Sequence, residues 1–241
     1  MIYMFLMEIT KFYSPNFDKK KRLSKDITAI IIHYTGMQSE RESIKRLTSS
    51  RSQVSCHYLI NRSGKILKMV KDENIAWHAG KSMWGNYKNL NKNSIGIELV
   101  NRGHQYGYQN YTKKQINKLV LLCKHLIKKY KIKKRLILGH SDIAPLRKID
   151  PGEKFPWKKL SKYNLGKWFE KKPNNFHHNK KMTQILFFKN LQKIGYKFFS
   201  LRRRNIKDKR IIKAFQLHYL PKNITGKIDE KTFEISHFLT K

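Results

Sequence analysis

The stretch ITAIIIH, residues 27–33, decides the fold. It is apolar, short and rich in β-branched side chains, as expected of a strand buried on both faces, and it ends on a histidine, His33. RLILGH, residues 135–140, repeats that pattern and again stops on a histidine, His140. A third run, SIGIELVN (94–101), has the same apolar character but carries Glu98 inside it. Helical spacing separates these runs. Ser39 can cap the polar stretch SERESIKRL, and Thr112 with Gln115 forms a capping box opening a longer helix. In that helix Ile116, Leu119, Val120, Cys123, Leu126, Ile127 and Tyr130 fall on one face.

Outward from these strands, CHYLI, the turn Asn61–Gly64 and KILKMV read as a hairpin. Residues 72–93, including AWHAGKSMWGNYKNLNKN, read as a long loop, and loops of that length usually carry a site. SDIAPLRKIDPGEKFPW follows the last strand, its course set by Pro151, Gly152 and Pro156. Composition shifts at 171–181 (KKPNNFHHNKK), which reads as a linker, and three short helical patterns follow at 182–195, 207–219 and 229–240. The expected architecture is α/β, a central mixed sheet flanked by helices, followed by a small three-helix bundle. The expected division is 1–170, linker 171–181, and 182–241.

Charge is the unusual feature of the composition. Lysine and arginine number 53 against 16 acidic residues, a net charge of +37 in 241 residues. Such a balance suits a polyanionic partner. The basic residues are scattered, however, with only short runs at 19–22, 128–135 and 202–204, and they accompany many isoleucines and asparagines. That distribution reads as compositional drift, so no nucleic-acid partner is expected. Two cysteines, Cys56 and Cys123, make no disulfide framework. MIYMFLMEITKF lacks a basic leader and a cleavage site, and no segment is long enough to span a bilayer, so the sequence alone reads as cytoplasmic unless export follows a route it does not display.

Two strand-end histidines and Asp150, in the loop after the second, form a donor set suited to zinc, with a fourth position left for water. Each residue alone is weak evidence; a single strand-end histidine is more often structural. Alternation places Glu98 on a face with Gly96 and Val100, where a carboxylate is costly unless it is paired or acts as a base. The pattern leaves those two roles equal. Lys148 can supply a fixed cation near the metal or sit solvated on a basic surface.

From SPNFD through FPW the chain resembles the type 2 N-acetylmuramoyl-L-alanine amidases, a superfamily that includes peptidoglycan recognition proteins and phage lysozyme-like amidases. The matching pieces are ITAIIIHYT, VSCHYLINRSGKI, AWHAGKSMWG, NLNKNSIGIELVN and LILGHSDIAPLRKIDPGEKFPW, in order over residues 14–157. The resemblance implies one zinc per chain on His33, His140 and Asp150, a catalytic Glu98 and a transition-state Lys148. It also implies a cleft shaped by His57, Trp77, His78, Trp84 and Asn101. Some relatives place a tyrosine where this chain has Cys56, and its absence fits the subgroup in which the glutamate is the base. LQKIGY (191–196), AFQLHYLP (214–221) and GKIDEKT (226–232) resemble a three-helix peptidoglycan-binding domain, with Asp229 as a helix cap. The expected activity is hydrolysis of the amide between N-acetylmuramic acid and L-alanine in peptidoglycan or its fragments, by a monomer; the alternative is recognition of peptidoglycan without cleavage.

Overall fold

The structure, a computed structural model, describes residues 8–170 and 180–241. The apolar residues 1–7 and positions 171–179 of the expected linker lie outside the described residues. In chain order the elements are β1 (Ile9–Lys11), β2 (Phe17–Asp18), β3 (Ala29–Tyr34), α1 (Glu40–Thr48), β4 (Tyr58–Ile60), β5 (Ile66–Lys68), β6 (Ile75–Ala76), β7 (Met83–Trp84), β8 (Tyr87–Lys88) and β9 (Ser94–Leu99). Then come α2 (Lys113–Tyr130), β10 (Ile137–Gly139), α3 (His140–Ile143), α4 (Trp157–Ser161), α5 (Lys180–Ile194), α6 (Asp208–Tyr219) and α7 (Glu230–Phe238).

Six strands form the main sheet in the order β1-β5-β4-β9-β3-β10. Every neighbouring pair is parallel except the β4–β5 hairpin, so the sheet is mixed. β3, fully buried at Ala29–Ile32, lies between β9 and β10, which explains its unbroken apolar run. Its register sets His33 beside Glu98 and Ile32 beside Gly139, so His140 begins one residue beyond the end of β10, level with His33. The C-terminal ends of three parallel strands thus open on one cleft.

α2 covers the sheet with the expected apolar face, Ile116, Leu119, Val120, Cys123 and Leu126 all being buried, and its Thr112–Gln115 capping box is formed. Ser39 caps α1 by accepting from the Glu42 amide. The loop 72–93 is more regular than its sequence suggests: β6 pairs with β2, and β7 with β8. Those ladders are two residues long, too short to leave a periodic signal. β1 leaves none either, being an edge strand of three residues added alongside β5.

The C-terminal helices match the expected positions, and Asp229 caps α7 through the Thr232 amide. Their buried side chains, among them Phe187, Leu191, Phe215 and Phe233, belong to the same apolar cluster as the sheet. Trp84 meets Tyr196 edge-on at 4.7 Å, and Trp157 stacks on His218 at 3.9 Å.

Candidate active site

His33 Nδ1, His140 Nδ1 and Asp150 Oδ2 meet at the strand ends, 2.9, 3.1 and 3.1 Å from one another. All three residues are buried. His33 is delivered by β3, His140 by the turn after β10, and Asp150 by a loop whose carbonyl accepts from the Ser141 amide at 2.8 Å.

The surrounding hydrogen bonds assign the tautomers. Ser94 Oγ donates to the Leu90 carbonyl at 2.6 Å, so it can only accept from His78 Nε2, 3.4 Å away. His78 Nδ1 is then bare and accepts from His33 Nε2 at 3.1 Å. His140 Nε2 donates to the Ala79 carbonyl at 3.2 Å. Both rings therefore turn an unprotonated Nδ1 toward a carboxylate oxygen. Three lone pairs aimed at one point repel unless a cation lies between them. The group can hold one metal ion. Burial, and then the neighbouring His140, bring His33 down to about 4, so its ring is neutral at physiological pH. Burial works against ionised Asp150, but the two imidazoles outweigh it and hold the carboxyl well below the usual carboxylate range.

Glu98 lies beside this group on β9, and its Oε2 is buried without a hydrogen-bond partner among the described residues. Burial, reinforced by the Asp150 charge and opposed by Lys148, pushes its carboxyl up to about 8. Of the two roles open from the sequence, the ion pair is not made: among the described residues Glu98 joins no salt bridge. His33, His140, Asp150, Glu98, Lys148, Trp77 and His78 all line one cleft of about 340 Å³. A cleft of this size accommodates a small-molecule ligand.

Three expected cleft residues lie elsewhere. His57 is fully buried behind β9, its Nδ1 accepting from the Gly96 amide at 3.0 Å and its Nε2 facing the Asn74 carbonyl and the Arg22 guanidinium. It is spent on backbone groups. Trp84 packs against Tyr196 of the C-terminal part, and Asn101 ties its own loop by accepting from the Gly103 and Gln109 amides. Their places near the site in sequence reflect the framework that supports it. Conversely, Tyr34, His104 and Arg147 line the cleft although nothing in the sequence assigns them a role, Tyr34 and Arg147 lying inside the matching pieces and His104 outside them. Tyr34 Oη and His104 Nδ1 are 2.9 Å apart, with His104 Nε2 2.9 Å from Glu153. Arg147 bonds to the Ala79 and Lys81 carbonyls, beside His140. Sequence reasoning also misses Gly96 as a support: a side chain there would collide with the His78 ring. A glycine inside a buried strand is its signal.

A mixed α/β sheet whose strand ends gather a donor triad able to hold a metal, with a buried carboxyl of raised pKa close by, has the donor set and the carboxyl of a metal-assisted hydrolase. Comparison with known proteins gives the family. Residues 23–153 match the profile described as N-acetylmuramoyl-L-alanine amidase. The amidase AmiD of Escherichia coli is 35% identical over 232 residues, covering 88% of this chain and 82% of its own. The 1,6-anhydro-N-acetylmuramyl-L-alanine amidase AmpD of Haemophilus influenzae is 34% identical over 172 residues, covering 64% of this chain and 91% of its own. Among solved structures, the complex of Escherichia coli AmiD with the substrate anhydro-N-acetylmuramic acid-L-Ala-D-gamma-Glu-L-Lys superposes with TM-score 0.77 at 31% identity, covering 92% of this chain and 91% of its own. AmpDh3 of Pseudomonas aeruginosa gives 0.78 at 29%, covering 93% and 95%. The chain belongs to the N-acetylmuramoyl-L-alanine amidase family.

Proposed function

We propose that this chain hydrolyses the amide joining the lactyl group of N-acetylmuramic acid to L-alanine in peptidoglycan or its fragments, with zinc as its metal. The observation that carries this reading is the donor triad facing an orphaned Glu98 in one cleft. AmiD, whose structure holds an anhydro-muramyl peptide, supports the substrate class.

Bound by His33, His140 and Asp150, zinc would supply Lewis-acid polarisation and a more acidic water. Glu98 takes the proton of the attacking water and returns it to the departing alanine nitrogen, so that water is consumed and a free amine released. A carboxyl near 8 is mostly protonated at neutral pH, and a cation in the triad favours the ionised form needed to start the cycle. Lys148, on the cleft wall, offsets charge developing on the carbonyl oxygen. Trp77 lines the same wall, its indole fixed by donation to Asp18 at 2.6 Å, and offers a rigid apolar face to sugar or peptide.

We divide the work accordingly: residues 1–170 perform the chemistry, and 182–241 contribute contact with the glycan, as the sequence resemblance of LQKIGY and AFQLHYLP implies. Mass spectrometry of muropeptides incubated with zinc-loaded protein tests the activity. Stem peptides with a free L-alanine amine are the expected products, and the same spectra distinguish intact from anhydro sugar. Unchanged muropeptides would overturn the amidase reading in favour of recognition alone.

A further inference from the structure

Asp142 sits two residues after His140, in the short turn α3, and is completely buried. Only one of its bonds serves the turn itself, Oδ2 accepting from the Gly139 amide at 2.7 Å. The other two come from the far part of the chain. Tyr196 Oη donates to Oδ1 at 2.6 Å, and His218 Nδ1 donates to Oδ2 at 2.8 Å. The His218 ring is clamped between Trp157, stacked at 3.9 Å, and Tyr219, at 4.1 Å, while its Nε2 is buried without a hydrogen-bond partner among the described residues. The bond to Asp142 therefore sets the orientation of that ring.

The same turn holds two metal donors. His140 is its first residue, and the Ser141 amide binds the Asp150 carbonyl at 2.8 Å. Gly139, where a side chain would meet Pro151 at 2.8 Å and Trp157 at 3.2 Å, seals the turn against the loop that carries Asp150. A shift of α3 therefore moves both donors together.

We propose that the C-terminal helices are a positioning device for the metal centre: the Tyr196 hydroxyl and the His218 Nδ1–H, both given to Asp142, hold the His140 turn at the spacing the ion requires. This rests on the metal-dependent reading above. It gives residues 182–241 a role in the chemistry, whatever glycan they also touch. Tyr196 and His218 are positioning residues, acting through Asp142.

The test is a set of full-length variants in which zinc affinity is measured by chelator competition alongside kcat and KM. His218→Phe keeps a ring for stacking on Trp157 but removes the donor, whereas His218→Asn keeps a donor at the Nδ1 position and loses the stack. Positioning by hydrogen bond predicts roughly tenfold weaker zinc binding and lower kcat in His218→Phe and Tyr196→Phe, with KM near the parent value, and recovery in His218→Asn. Phe188→Leu, at a buried ring that packs on Phe187 and Phe199 and makes no bond to Asp142, is expected to lower the melting temperature and leave zinc affinity alone. Equal zinc affinity in His218→Phe and the parent, or an equal loss in His218→Asn and His218→Phe, would overturn the proposal. Parent protein that binds zinc and cleaves nothing would remove the amidase reading, while the affinity comparison would still decide this one.

Discussion

In the proposed reaction one side chain, Glu98, carries the proton. Replacing it by alanine removes the proposed proton carrier and none of the candidate metal donors. Glu98→Ala is therefore expected to lower turnover by about 10²–10⁴-fold or more while leaving zinc content unchanged, measured by product release and metal analysis on the same sample. The residue also makes a prediction for metal-free protein. Its carboxyl lies near 8 in the fold against 4.5 when unperturbed, so the native state holds the proton more tightly than the unfolded chain. Stability then falls as pH rises from about 4.5 to about 8, by roughly 1.4 kcal/mol for each pH unit crossed, a few kcal/mol in all. Against Glu98→Gln, which cannot ionise, the zinc-free parent should lose melting temperature progressively across that window. Parallel curves for the two proteins would show that Glu98 is not shielded from water as described. Sequence alone exposes this glutamate as a carboxylate in an apolar strand but leaves ion pair and base equal, because a strand pattern does not reveal partners.

At the level of elements, the sheet is legible because β3 and β10 end alike and β9 runs between turn signals. Their apolar runs have no other use than a doubly covered parallel sheet. The supporting shell is less legible. His78 arrives on a loop that folds back over β9, and its contact with His33 depends on Gly96 leaving room for the ring. The family resemblance puts His57, Trp84 and Asn101 in the cleft, whereas the chain turns them inward to bind backbone or to pack. Gly96→Ala tests the arrangement. An added methyl group must displace His78, freeing His33 to rotate, so zinc affinity should drop by about 10–100-fold with a lowered melting temperature. Isothermal titration with zinc and a thermal scan measure both. Zinc affinity equal to the parent's would show that the His78 contact does not orient His33.

The whole molecule carries +37 charges, and the 16 acidic residues can pair with only a fraction of the 53 basic ones; Asp72, with Lys68 and Lys129 each at 3.0 Å, takes up two. Mutual repulsion opposes the compact state and is screened by salt. Raising ionic strength from about 0.02 M to about 0.3 M, where the screening length falls below about 10 Å, should raise the melting temperature, against the usual expectation for proteins held by surface ion pairs. A midpoint that stays flat or falls would mean that the charges are too dispersed to matter. The docking of the C-terminal helices has one more consequence, an optical one. Of the four tryptophans, Trp84 touches Tyr196, Trp157 stacks on His218 and Trp168 lies 5.8 Å from Tyr219, while Trp77 alone lines the cleft. Separation of the two halves would wet three indoles and redden their emission, whereas a ligand entering the groove would alter the fourth, so intrinsic fluorescence offers distinct signals for the two events without any attached dye.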